Sequence, residues 1–155
     1  MYTRSTQLFA MLFGAAVAIY GADPVIGTWK LNVAKSKFDP GPPPKAATRT
    51  YEVVSGGVRE TYITVDQSGK STLLELPATL DGRNHQIMGP GPADNIQLEK
   101  ISDFSSIATL KHGDIVVGRA RREISDDGKT MTFTYKGTNH EGTPSDNREV
   151  YEKQP

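Results

Sequence analysis

Arg49 and Tyr51 stand two residues apart in a run of strand-forming residues, Thr48-Arg49-Thr50-Tyr51-Glu52-Val53. Side chains in a strand alternate between faces, so a guanidinium and a phenol at this spacing project to the same side. Inside an otherwise apolar barrel they would present forked donors to an acidic ligand. A solvent-facing arginine beside a half-buried tyrosine has the same spacing. The densest local charge is Arg119-Ala120-Arg121-Arg122-Glu123, in which Arg119 and Arg121 share a face and Arg122 takes the other. Such a row suits anion recognition, or a solvated sheet face protected against edge-to-edge pairing.

Other chemistries find less support. His85, His112 and His140 are not spaced as His-x-His or His-x-x-x-His, and two of them stand at turns, His112-Gly113 and His140-Glu141. A metal site assembled from scattered histidines stays open as an alternative, but no metal or cofactor is assigned. Asp126-Asp127-Gly128-Lys129 lacks the further alternating carboxylates and distal glutamate of a calcium loop, and reads as a hairpin turn. No Gly-x-Ser-x-Gly elbow presents a serine nucleophile. With no cysteine, thiol catalysis, thiolate metal sites and disulfides are excluded. No pair of carboxylates stands out for glycoside hydrolysis, and the chain is read as a non-enzyme.

The elements that must hold these residues are strands. Turn signals recur at Gly56-Gly57, Ser68-Gly69, Asp81-Gly82, His112-Gly113-Asp114, Asp127-Gly128 and Glu141-Gly142, at the spacing of an antiparallel meander. Strands are expected near 26–33, 46–55, 57–66, 70–78, 84–88, 95–102, 105–112, 115–125, 129–137 and 147–153. No segment after residue 22 keeps a helical period. Clean alternation turns Trp29, Leu31 and Val33 inward in the first strand, and Met131, Phe133 and Tyr135 inward near the end of the chain. Arg49, Tyr51 and Val53 share one face, a mixture that fits a partly polar cavity or a solvated edge. Asp39-Pro40-Gly41-Pro42-Pro43-Pro44 lacks amide donors and must be a stiff, extended connector, whose Pro40-x-x-Pro43 spacing also matches a ligand of proline-binding modules. Gly89-Pro90-Gly91-Pro92 is a shorter break expected to cross one barrel end.

The 155-residue chain has room for one domain behind an N-terminal segment. Arg4 is the only charge before Asp23, Leu8 to Tyr20 is almost wholly apolar, and Gly21-Ala22 follow. That layout predicts a signal peptide over 1–22 and a folded domain over 23–155, exported to the periplasm or the extracellular space; an uncleaved anchor is the alternative. The chain holds 18 basic and 18 acidic residues, so loss of Arg4 leaves a charge of about −1 and no basic excess for nucleic acid. No membrane span is expected once the segment is removed, and the domain is expected to be a monomer.

Gly27-x-Trp29 in the first strand, the meander and the ending Val150-Tyr151-Glu152-Lys153 together resemble the calycin superfamily, the lipocalins and fatty-acid-binding proteins. The similarity spans about residues 24 to 154 and is greatest to small bacterial lipocalin-like exported domains. It implies an all-β fold, an antiparallel up-and-down meander closed into a lipocalin-like barrel of 8–10 strands. Fatty-acid-binding proteins place a helical lid between their first two strands; here that interval holds the proline run, so no helical lid is expected. They also place an arginine two residues before the tyrosine of the last strand. Here Glu149 holds that position and Arg148 is out of phase, so the family's carboxylate site does not carry over. Arg49, Tyr51, Tyr62, Phe133, Tyr135 and Tyr151 are the ligand-binding candidates. Lipocalins pack an arginine across the first-strand tryptophan to close the barrel floor; Arg121, Arg122 and Arg148 are the candidates, with Arg121 set beside Trp29. The implied function is binding of a small hydrophobic or amphipathic ligand, acidic if Arg49 grips it. A self-filled structural or interaction module of the cell envelope is the alternative, and a haem carrier or enzyme the third reading.

Overall fold

Alternating Thr, Val, Ile and aromatic residues between glycine-bearing turns produce strands throughout the computed structural model, which describes residues 23–139 and 141–155. The expected export segment and His140 lie outside the described residues. Ten strands follow in chain order: β1 Gly27–Leu31, β2 Ala46–Val54, β3 Gly57–Val65, β4 Ser71–Pro77, β5 Asn84–Gln86, β6 Asn95–Ser102, β7 Ser105–His112, β8 Ile115–Ile124, β9 Thr130–Thr138 and β10 Pro144–Lys153. Each pairs antiparallel with its sequence neighbours, except at one seam, and β1 pairs with β10 to bring the two ends of the domain together. The seam lies between β4 and β5, where Glu75 and Met88 exchange the backbone bonds of a single bridge. The fold is therefore an all-β, up-and-down, nearly closed barrel. No helix among the described residues is long and apolar enough to cross a membrane.

Pleat parity decides what fills the barrel. Trp29 comes from β1, Arg49 and Tyr51 from β2, Glu60 from β3, Leu76 from β4, Ile96 and Leu98 from β6, Ala120 and Arg122 from β8, and Met131 from β9. All are buried, and hydrophobic burial on this scale supplies the main drive for closure.

Two expectations for the strand ends are corrected. β1 stops at Leu31, because Asn32 caps a single 3-10 turn, Val33–Lys35, by accepting the Lys35 amide at 3.1 Å. Val33 therefore belongs to that turn and not to the inward row of Trp29 and Leu31. The chain rejoins β10 beyond the turn, with mutual backbone bonds between Lys37 and Arg148 of 2.7 and 2.8 Å. Its excursion covers Val150, which explains a buried valine between the inward residues Glu149 and Tyr151. β10 begins at Pro144, three residues earlier than its alternation suggests, because Ser145, Asp146 and Asn147 are polar strand residues paired along β9.

At the end where the chain enters, Trp29 is fully buried and its indole N–H donates to the Val25 carbonyl at 2.8 Å. The Lys153 ammonium stands 5.1 Å from the indole centroid and donates to the Pro24 carbonyl at 3.0 Å. Gly27 makes room for this arrangement: its φ of +127° favours glycine, and a Cβ there would lie 3.0 Å from Lys153 Cε. The cation on the floor tryptophan is thus Lys153 and not Arg121. Parity on β8 sends Ala120, Arg122 and Ile124 inward, so Arg121 faces outward, half-exposed, and pairs with Glu123 at 2.9 Å.

Candidate functional site

Parity on three strands converges on Arg49. β2 turns it inward, β3 turns Glu60 and Tyr62 to the same side, and β10 does the same with Glu149 and Tyr151. One terminal nitrogen of Arg49 donates to Glu60, and the other lies 3.6 Å from Glu149 Oε2. The guanidinium plane is enclosed by rings, with its carbon 3.8 Å from the Tyr62 centroid, 4.1 Å from Phe133 and 5.2 Å from Tyr151. The Tyr151 hydroxyl donates to Glu149. Arg49 is only 5% exposed, Glu60 7% and Glu149 5%, so this is a desolvated ion cluster rather than a solvated row. A second buried arginine, Arg122, lies 5.2 Å from the Tyr51 ring centroid.

The sequence-derived candidates separate into groups. Arg49, Tyr62, Phe133 and Tyr151 meet in one cluster, whereas Tyr51 joins Arg122 next to it. Tyr135 stands apart and donates its hydroxyl to the Thr138 carbonyl at 2.6 Å. Its ring lies so close to Gly118 that a Cβ there would come within 2.6 Å of it. Glu60 and Glu149 are the residues that inspection for ligand-gripping pairs passes over. Their signal is parity: Glu60 is two residues before Tyr62, and Glu149 two before Tyr151.

Burial raises the tyrosine ionisations. Loss of solvent, aided by the Glu60 charge, pushes Tyr51 from 10 up to about 12. Loss of solvent first, then the charge of Glu149, also raises Tyr62, and desolvation is the largest cause for Tyr151. The unfolded chain releases these protons near pH 10 while the folded one holds them. Stability is therefore fully present below pH 10 and is expected to fall as pH rises toward 12, by on the order of 2–3 kcal/mol for Tyr51 alone. Tyrosinate absorbance recorded with far-UV circular dichroism checks this: the buried phenols should titrate together with unfolding and not before it.

Free space lies above the cluster. A cavity of about 440 Å³ opens between the proline connector and the ends of β3 and β10, with Tyr62 and Glu149 among its lining residues. Its apolar wall is Phe38 with Pro40 and Pro42 to Pro44; its polar wall includes Thr64, Asn139, Ser145 and Asn147. The connector is tied down on both flanks. Asn147 Oδ1 accepts the Asp39 amide at 3.1 Å, and the Asp39 carbonyl accepts the Asp146 amide at 2.7 Å. On the other side Gln67 donates to the Pro43 carbonyl at 2.8 Å and Lys45 to the Val65 carbonyl at 2.7 Å. The lidless interval foreseen between the first two strands is thus a fixed roof. The shorter Gly89-Pro90 break also reaches the barrel wall, where Gly89 packs against Leu73 and Leu74 across the seam.

Elsewhere many charged side chains are paired. A depression of about 490 Å³ runs over β7, β8 and β9 beside Arg119 and Arg121, but Arg121 pairs with Glu123 at 2.9 Å and Lys136 with Asp146 at 3.5 Å. His85 lies 2.9 Å from Asp81 and His112 3.3 Å from Asp94, and neither lines the roofed cavity. Asp127 accepts the Lys129 amide at 3.0 Å and the Ser125 hydroxyl at 2.6 Å, which builds the hairpin turn expected there. Neither a protein-family model nor a curated protein matches this sequence.

Proposed function

We propose that the chain is an exported, lipocalin-like binding protein that holds a small, partly apolar ligand at the roofed mouth of its barrel, and that it does no chemistry on it. The cavity of about 440 Å³ carries this reading, since it combines an apolar wall of phenylalanine and prolines with a few convergent polar groups. Its volume falls in the range of small-molecule sites, roughly 300–1,000 Å³. The tied connector favours a preformed site, which spares a ligand the cost of ordering a loop. Export rests on the charge and apolar pattern of residues 1–22.

A second reading, a structural or interaction module of the cell envelope, is favoured by the middle of the barrel. There Arg49, Glu60, Glu149 and the enclosing rings fill the interior with the protein's own side chains. Native mass spectrometry of protein purified from its own host separates the two. The binding reading expects a small-molecule adduct that unfolding releases, and a mature mass lacking the first 22 residues; a bare mass under gentle conditions favours the structural module.

A further inference from the structure

The charges around the roofed cavity single out a class of ligand, and it is not the acid that Arg49 suggests by its spacing. Arg49 does not line the cavity: one terminal nitrogen donates to Glu60, the other lies 3.6 Å from Glu149, and Tyr62 and Phe133 cover its plane. The side of this cluster that lines the cavity is Glu149, together with the ring of Tyr62. A second carboxylate, Asp66, stands on the cavity wall at the β3–β4 hairpin. It accepts the Ser68 hydroxyl at 2.6 Å and the Ser68 and Lys70 amides at 2.9 Å, contacts that favour its charged form. No lysine or arginine is among the described lining residues. An incoming carboxylate would therefore meet two carboxylates and no guanidinium on the cavity wall. An ammonium would meet attraction from both, strengthened where protein replaces water.

We infer that the mouth cavity selects a cationic amphiphile, a small molecule with an ammonium head directed to Glu149 and Asp66 and an apolar portion laid against Phe38 and the proline roof. This inference rests on the binding reading above. The prolines give a rigid apolar wall that loses no rotamer freedom on contact, while Asn147 and Ser145 offer side-chain oxygens near the buried glutamate. The specificity is a difference of affinities, produced as much by repulsion of acids as by attraction of amines.

Octylammonium, octanoate and 1-octanol share one tail and differ only at the head, so titration of the isotope-labelled protein with each, followed by amide chemical shifts, tests the inference. Octylammonium is expected to bind about tenfold or more tighter than octanoate, with shifts concentrated at residues 38–45, 64–68 and 145–149. Thr64→Lys places a cation on the cavity wall without replacing any residue of the Arg49 cluster, and is expected to abolish or reverse the preference. Equal or tighter binding of octanoate at this cavity overturns the inference while leaving a binding protein. Shifts from octylammonium elsewhere, for example along Arg119 and Arg121, overturn it as well. Absence of binding by all three probes overturns both the inference and the binding reading.

Discussion

Arg49→Ala is expected to lower the stability of the fold by roughly 3–5 kcal/mol, because it leaves two buried carboxylates without their shared cation. Glu60 and Glu149 are about as buried as Arg49 itself, so water does not replace the lost cation at either carboxylate in the native arrangement. The substitution also removes the packing of the guanidinium on Tyr62 and Phe133. Urea unfolding followed by far-UV circular dichroism measures the loss. Because much of the effect is an unpaired charge rather than a missing contact, a combined Arg49→Met, Glu60→Gln, Glu149→Gln variant should recover most of it. A single Arg49→Ala change costing less than about 1 kcal/mol would show that the cluster is solvated and not desolvated as the burial implies.

Trp29→Ala is expected to have a comparable effect, roughly 3–5 kcal/mol, through a different mechanism. The indole is fully buried at the barrel floor, so its removal opens a cavity that the surrounding sheet can only partly close. It also frees the Val25 carbonyl from its hydrogen bond and takes away the ring beneath the Lys153 ammonium. Lys153→Met, by contrast, keeps the tryptophan packed and should cost much less, since a cation over an aromatic ring contributes only about 0.5–2 kcal/mol. Thermal melting of both variants ranks the two contributions. Near-equal losses would mean that the floor depends on the lysine, not on the volume of the indole.

Much of the fold was legible because its signals are local. Glycines at the turns and two-residue alternation place ten strands, and most of their observed ends lie within about two residues of the pattern. Val33 departs from the alternation because nothing in alternation reveals a capping asparagine, and Asn32 ends the strand through a bond to an amide three residues on. The polar start of β10 escaped for the opposite reason. Its pairing with β9 is a long-range backbone effect, and no apolar residue marks it.

The site was legible in part. Parity places Arg49 and Tyr51 on one face without deciding between a cavity and a solvated edge, and which side chains across the barrel satisfy a buried arginine depends on the closure of β1 on β10, which composition does not record. Glu149 is in phase with Tyr151, but a carboxylate two residues before that tyrosine does not match an acid-gripping arginine and carries no ligand-binding signal of its own. The floor cation was open to the same reasoning. Lys153 shares parity with the inward Tyr151, while Arg121 is out of phase with the inward Ala120, Arg122 and Ile124.

The proposed binding function places the ligand beneath the proline roof and not around Arg49. Native mass spectrometry of the wild type and of Thr64→Trp, both purified from the protein's own host, tests it most directly, because a bulky ring at Thr64 fills the cavity and keeps every residue of the ion cluster. An adduct on the wild type that disappears from the variant, at unchanged melting temperature, is the predicted result; an adduct retained by Thr64→Trp, or absent from both proteins, would contradict it.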